Sequence, residues 1–92
     1  MAHSDCWAFY FEYLDDGSAE TNKIELIMKK VRDWKGIDFI RIGRTSNPET
    51  KYVKYESTDL SLLSSIRNEF QEITTMLINK IYLMPPILSE EI

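Results

Sequence analysis

The first apolar stretch of the chain, Cys6 to Leu14, alternates in a way that predicts a β-strand. It is rich in aromatic residues, which strands favour. Side chains of a strand point alternately to its two faces, so a period of two separates this stretch into two sets. One set is Trp7, Phe9, Phe11 and Tyr13, and the other is Ala8, Tyr10 and Glu12. We predict that the first set, which is entirely aromatic, faces the core.

The stretch from Asn22 to Trp34 has the spacing of an amphipathic helix. Its apolar residues fall on one stripe, made of Ile24, Ile27, Met28, Val31 and Trp34. Asn22 is predicted to cap the N-terminus, because Glu25 follows three residues later as in a capping box. Gly36 is predicted to end the helix, since glycine is common just after a last helical turn.

Two strand-like runs then flank a turn, and the turn determines how they pair. Asn47-Pro48-Glu49-Thr50 suits a type I turn with proline at its second position. Pairing Arg44 with Lys51 around this turn assigns every residue to one of two faces. One face, predicted to be the core side, holds Ile40, Ile42, Val53 and Tyr55 together with Asp38 and Ser57. The other face holds Ile37, Phe39, Arg41, Gly43, Tyr52, Lys54 and Glu56.

The last apolar pattern predicts a helix whose far end is ambiguous. Asp59 can cap its start. Apolar residues then keep helical spacing for roughly six turns, at Leu60, Leu63, Ile66, Phe70, Ile73, Leu77 and Ile81. In one interpretation the helix runs to Met84 and stops before Pro85-Pro86. In the other, Asn79 ends the helix and residues 80–84 form a short last strand.

This order of elements predicts an α+β fold, a two-layer sandwich of the ferredoxin-like type with the order β-α-β-β-α and an optional last strand. The right-handed crossover makes the first two strands parallel, either as neighbours or one apart, and the hairpin adds an antiparallel strand. We therefore predict a mixed sheet with both helices on one face. The whole chain, residues 1–92, is expected to be one domain, with residues 1–5 and 85–92 as flexible or partner-docking tails.

Composition limits the class of protein. The chain has 92 residues, 43% of them hydrophobic and 28% charged, which is typical of an ordered globular domain. Its single cysteine cannot form an internal disulfide, no long apolar run spans a membrane, and no secretory signal is visible. We therefore expect a cytoplasmic protein with no membrane attachment.

The net charge of −4 conceals a segregation along the chain. Residues 1–22 carry five acids and no lysine or arginine. Residues 23–54 carry nine basic residues and four acids, and residues 55–92 carry six acids and two basic residues. The central block is therefore basic within an acidic protein. It is either a solvated face or a surface for an acidic partner or a phosphate backbone.

No pattern of catalytic or metal-binding residues stands out. The only histidine is His3, and Cys6 opens a predicted core strand, where a buried thiol is the ordinary outcome. The three glycines are too widely spaced for a phosphate-binding loop. Asp15 and Asp16 lack the alternating oxygens and later glutamate of a calcium loop. We therefore expect a non-enzymatic protein without a metal or another cofactor.

The candidate contact residues lie on the predicted open side of the sheet and in the C-terminal tail. They are Tyr10, Phe39, Arg41, Tyr52 and Lys54 on the strands, and Pro86, Ile87 and Leu88 in the tail. Aromatic residues and arginine are enriched in protein interfaces, and an uncovered apolar sheet face usually marks one. We therefore expect an interaction or assembly module whose partner is a protein, most simply a second copy in a homodimer.

Aromatic residues interleaved with basic ones also suit single-stranded nucleic acid or another polyanion. This alternative uses Arg41, Lys54, Lys51 and Arg44 with the lysines of the first helix. Fifteen acidic residues would repel a phosphate backbone unless they lie on the far side.

Overall fold

The computed structural model describes residues 6–84, which form four strands and two helices. In chain order the elements are β1 (Trp7–Leu14), α1 (Ala19–Val31), β2 (Phe39–Arg44), β3 (Thr50–Ser57), α2 (Leu60–Glu69) and β4 (Ile78–Leu83). The predicted α+β ferredoxin-like order is confirmed, and the last strand is present.

The four strands form one sheet in the order β2-β3-β1-β4. Every neighbouring pair is antiparallel, so the prediction of a mixed sheet is wrong in this respect. β1 and β2 do run in the same direction, but β3 lies between them. The crossover through α1 therefore skips one strand, which was one of the two arrangements that the sequence allowed.

The core lies between the helices and one face of the sheet. As predicted, β1 contributes its aromatic residues: Phe9, Phe11 and Tyr13 are buried, and Trp7 packs at the margin. The other members of the buried cluster come from both helices, from β3 and from the residue after α2, and they are Ile24, Val31, Val53, Tyr55, Leu63, Ile66 and Phe70. Both helices therefore cover the same sheet face, and the other face carries a different set of side chains.

The start of α1 differs from the prediction. Its N-cap is Ser18, whose hydroxyl accepts a hydrogen bond from the Thr21 amide at 3.3 Å. The cap therefore lies four residues before Asn22, the predicted cap of the Asn22–Trp34 helix. Thr21 is buried, and its hydroxyl donates to the Leu14 carbonyl and to Asp16. These bonds connect the start of the helix directly to the end of β1. The spacing of Asn22 and Glu25, on which the predicted cap was based, contains no information about them.

The end of α1 also differs. The helix stops at Val31, so Gly36 does not cap it, although Gly36 does have a positive φ of 99°. Gly36 instead shapes the entry to β2. Its carbonyl accepts a hydrogen bond from the Ser57 hydroxyl, and a Cβ there would lie 2.9 Å from the Leu62 side chain.

The second helix is much shorter than either interpretation required. Asp59 caps it as predicted, accepting from the amides of Ser61 and Leu62, but α2 ends at Glu69 and turns follow until β4 begins at Ile78. The prediction of a helix to Met84 is wrong, and the last-strand interpretation is correct except that the helix ends well before Asn79. The physical reason is that the side chains of β1 are buried, so the amide and carbonyl groups along its second edge need hydrogen-bond partners from another strand.

The hairpin register is confirmed. Arg44 pairs with Lys51, Ile42 with Val53 and Ile40 with Tyr55, and the Thr50 amide closes the predicted turn on the Asn47 carbonyl. The assignment of Ile42 to the core is wrong, however, because its side chain is 53% exposed. β2 is an edge strand, and the helices cover the middle of the sheet rather than this margin.

We predict that Asp59 makes the stability of the protein sensitive to acid. Hydrogen bonds, first from Ser61, hold the pKa of its carboxyl below the ordinary value of 3.8. A lowered folded-state pKa stabilises the fold fully above the unfolded pKa, and this contribution is lost as the pH falls through the folded pKa. Asparagine also caps helices but does not titrate. Urea denaturation should therefore show that Asp59→Asn is less stable than wild type at pH 7 and that the difference shrinks by pH 2.5.

The matched control is Asp33→Asn, at an exposed site beyond the end of α1 where no cap is formed. It should show the same pH dependence as wild type. A difference between Asp59→Asn and wild type that stays constant from pH 7 to pH 2.5 would contradict the prediction.

Candidate interaction surface

The sheet face opposite the helices is a grid of side chains, which we call the open face. Because all four strands are in register, each row across the sheet contains one residue from each strand. From β2 to β4, the first row is Phe39, Glu56, Ala8 and Tyr82. The second is Arg41, Lys54, Tyr10 and Lys80, and the third is Gly43, Tyr52, Glu12 and Ile78.

The middle row is cationic on three of its four strands, and Tyr10 separates Lys80 from the neighbouring Lys54 and Arg41. Lys80 Nζ lies 5.7 Å from the centre of the Tyr10 ring and 5.3 Å from that of Tyr82. At the other edge the Arg41 guanidinium lies 4.7 Å from the centre of the Phe39 ring. Both edges of the open face therefore hold a cation against an aromatic ring, an arrangement in which each stabilises the other.

Tyr10 and Tyr52 form the aromatic centre of the face. Their rings stack with centroids 5.9 Å apart and planes inclined by 17°. The Tyr10 hydroxyl donates a hydrogen bond to Glu12. Burial, with help from this hydrogen bond, raises the pKa of Tyr10 to about 12, so its hydroxyl stays protonated and donating at neutral pH.

Gly43 is the position that lets Tyr52 lie flat. A Cβ on Gly43 would come within 2.7 Å of the Tyr52 ring, closer than real atoms pack. Gly43 has no positive φ, so its backbone does not require glycine. The requirement is the room that its missing side chain leaves for the ring of the neighbouring strand.

Glu56 balances two of the cations. Its Oε2 atom lies 3.5 Å from Arg41 Nε and 3.6 Å from Lys54 Nζ. The carboxylate is largely covered, while Arg41 remains more than half exposed. The open face is therefore a mixed surface in which opposite charges already contact one another, rather than a surface of one sign.

The structure brings five of the predicted contact residues together. Tyr10, Phe39, Arg41, Tyr52 and Lys54 all lie on the open face, in direct contact or in adjacent rows. The predicted tail residues Pro86, Ile87 and Leu88 lie outside the described residues.

Three members of the open face were missed by the sequence analysis, namely Ile78, Lys80 and Tyr82. All three belong to β4, which the helical spacing of residues 60–81 concealed. The sequence analysis did leave open a last strand over residues 80–84, which holds Lys80 and Tyr82, but it assigned none of its residues to a face and the strand did not reach Ile78.

Several basic residues of the polyanion alternative lie elsewhere. Arg44 and Lys51 are on the helix side of the sheet, where both pair with Asp15 at 3.2 and 3.3 Å. On α1, Lys30 pairs with Glu69 at 2.7 Å. The basic block of the sequence is therefore divided between two faces and is largely matched by carboxylates.

Within residues 6–84 no group of three or more histidine, cysteine, aspartate or glutamate side chains is placed to hold a metal ion. Neither helix in this part of the chain is long and apolar enough to cross a membrane. The histidine considered in the sequence analysis, His3, lies outside the described residues.

No protein-family model and no curated protein matches this chain. Solved structures do share its fold. Rv0793 from Mycobacterium tuberculosis has a TM-score of 0.63 at 11% identity, over 89% of this chain and 95% of its own. An uncharacterized protein of Thermotoga maritima has a TM-score of 0.61 at 8% identity, over 83% and 91%.

A third structure is named as a candidate antibiotic biosynthesis monooxygenase, from Bordetella bronchiseptica. Its TM-score is 0.52 at 5% identity, and the match covers 89% of this chain and 97% of that one. At identities this low the likeness establishes the fold alone. It confirms the arrangement of two helices on a four-stranded antiparallel sheet and leaves the function to be argued from the open face.

We predict that Gly43→Ala destabilises the protein by about 1–3 kcal/mol, because the added methyl group overpacks against the Tyr52 ring. Tyr52→Ser removes that ring, so the double variant should cost less than the sum of the two single variants, by at least about 0.5 kcal/mol. Urea denaturation of the four proteins measures this coupling. Additive effects would show that Gly43 does not serve the Tyr52 ring.

Proposed function

We propose that this chain is a non-enzymatic interaction module that associates with a second copy of itself through the open face. The observation that carries the proposal is a sheet face that both helices leave uncovered and that is aromatic at its centre and apolar at two opposite corners. Phe39 at the β2 edge is 47% exposed, and Ile78 at the β4 edge is 40% exposed. Aromatic residues and arginine, which this face carries together, are enriched in protein interfaces.

The arrangement of charge supports a second copy as the partner. A two-fold interface brings the same surface of each copy together, so that surface must be complementary to itself. The open face carries both signs, with cations in the middle row and the carboxylates of Glu12 and Glu56 in the rows on either side. When two such surfaces meet with their rows offset, the cations of one copy lie opposite the carboxylates of the other.

The same facts disfavour the polyanion alternative. A nucleic-acid surface gathers unpaired lysine and arginine along the path of the phosphates. In this fold Arg41 and Lys54 share Glu56, and two further cations are held by Asp15 on the helix side. The stacked Tyr10 and Tyr52 rings also pack against each other rather than standing apart to receive a base.

We predict that Ile78→Lys and Phe39→Ser each weaken self-association. Both residues are substantially exposed, so neither change should unfold the domain, but both remove apolar contact area, and Ile78→Lys adds a second cation to β4 beside Lys80. Sedimentation equilibrium of each variant should give a dissociation constant at least about tenfold higher than that of wild type.

Leu26→Ser is the matched control, because Leu26 is 67% exposed on α1, on the other side of the sheet. It should leave the dissociation constant unchanged. Sedimentation of a protein truncated after Met84 measures how much the predicted tail contacts add to the strength of self-association. A wild-type protein that stays monomeric at the highest attainable concentration would overturn the proposal.

Added salt separates the two candidate functions. Binding to single-stranded nucleic acid should weaken steeply with salt and with Arg41→Ala or Lys54→Ala. Self-association should weaken far less between 50 and 500 mM sodium chloride, because salt screens only its charge pairs and leaves the apolar contact in place. Titration of wild type with a labelled oligonucleotide at both salt concentrations is the measurement, and tight, salt-sensitive binding would favour the alternative.

A further inference from the structure

The outer edge of β2 is a second surface that the described part of the chain leaves unpaired. β2 is the terminal strand of the sheet, and among residues 6–84 its only strand neighbour is β3. A free strand edge presents amide and carbonyl groups to any other strand that can reach it. The edge surface extends along the strand and is distinct from the open face.

The hydrogen-bond register shows which residues point outwards. The Thr45 amide donates to the Thr50 carbonyl, in line with the register that pairs Arg44 with Lys51. In an antiparallel pair hydrogen-bonded positions alternate, so odd-numbered residues of β2 bond to β3. The backbone groups of Ile40, Ile42 and Arg44 therefore point away from the sheet.

The side chains at this edge are not those of a protected strand. Edge strands usually avoid pairing by means of proline, central lysine or a bulge within the strand. From Phe39 to Arg44 the register is unbroken and the strand contains neither proline nor lysine, and its two charged residues, Arg41 and Arg44, are engaged by Glu56 and Asp15 of the same chain. At its middle the apolar side chain of Ile42 is 53% exposed on the helix side.

We propose that the β2 edge pairs antiparallel with the β2 edge of a second copy, with Ile42 opposite Ile42. In this register the outward groups of Ile40 meet those of Arg44 in the partner, and the two Ile42 residues exchange hydrogen bonds across the two-fold axis. The two sheets become one continuous sheet. Each exposed Ile42 is then covered by its counterpart.

Charge and shape favour this register and a second copy as the occupant. On the open face, Arg41 of one copy lies beside Gly43 of the other, where the neighbouring side chain is the uncharged Tyr52 ring that lies over the glycine. Shifting the pairs by one step to place Arg41 opposite Arg41 would set like charges against each other, which is unfavourable. On the helix side Ile40 lies beside the apolar stem of Arg44, whose guanidinium remains with Asp15.

This edge surface does not depend on the proposed open-face interface. A two-fold axis for edge pairing is perpendicular to the sheet, whereas one for face-to-face packing lies in its plane. Where two such perpendicular two-fold axes intersect, they generate a closed tetramer with dihedral symmetry. Because six-residue strand pairing buries little surface, the edge contact is the weaker of the two and forms at higher concentration.

The test uses charge at the two-fold axis. Ile42→Lys places two lysines opposite each other and should raise the edge dissociation constant more than about tenfold, as should Ile42→Asp. Mixing the two variants pairs lysine with aspartate and should restore association, which either variant alone lacks. Leu26→Lys mixed with Leu26→Asp is the matched control, because Leu26 is 67% exposed on α1, away from the β2 edge, and neither variant should change the edge association alone or in the mixture. Sedimentation velocity across a concentration series provides the readout, with circular dichroism to verify the fold.

Each outcome decides between the two interfaces. Tetramers that Ile42→Lys reduces to dimers, with rescue in the mixture, support the edge pairing. Dimers that Ile78→Lys disrupts and Ile42→Lys does not would overturn the edge pairing and leave the open-face proposal intact. Dimers that respond only to Ile42→Lys would overturn the open-face proposal instead. Failure of the Lys and Asp mixture to associate, when each variant is folded, would overturn the proposed register.

Discussion

The burial of β1 on its helix side is the constraint on which the rest of the structure depends. Phe9, Phe11 and Tyr13 supply the centre of the core, and their rings contact one another and Phe70. A strand buried in this way must have backbone partners on both edges, because unpaired amides in a core are costly. β3 satisfies one edge and β4 the other. The need for β4 limits the length of α2, since the chain must turn back to reach the free edge of β1.

The same register that packs the core also arranges the open face. Strand side chains alternate, so placing Phe9 beside Tyr55 and Ile81 on the helix side places Tyr10 beside Lys54 and Lys80 on the other. The cationic row, the tyrosine stack and the Glu56 ion pairs are therefore consequences of packing the aromatic core. A slip of one residue in any strand pair would disturb both faces together.

The sequence predicts what depends on local pattern and fails where distant parts of the chain compete. The hairpin register follows from the Asn47-Pro48 turn. Four contact residues follow from that register, and Tyr10 follows from the alternation of β1. The end of α2 does not follow from local pattern, because Ile73, Leu77 and Ile81 keep helical spacing while the structure uses them in turns and a strand. The start of α1 is decided by Thr21 and its bond to the Leu14 carbonyl, a contact between separate elements that a helical pattern does not encode.

The exposed position of Ile42 shows most clearly what periodicity leaves open. Alternation assigns Ile42 to the helix side of the sheet, and the structure agrees, but only position in the sheet decides whether that side is covered. β3 lies in the middle, so Val53 is buried, whereas Ile42 beside it in the same pair is half exposed at the margin. On this edge strand Ile40 still packs against the core, whereas Ile42 extends beyond the cover of the helices. The pattern that specifies a core in the middle of the sheet thus leaves an exposed apolar side chain at its border, which is the side chain that the proposed edge pairing would cover.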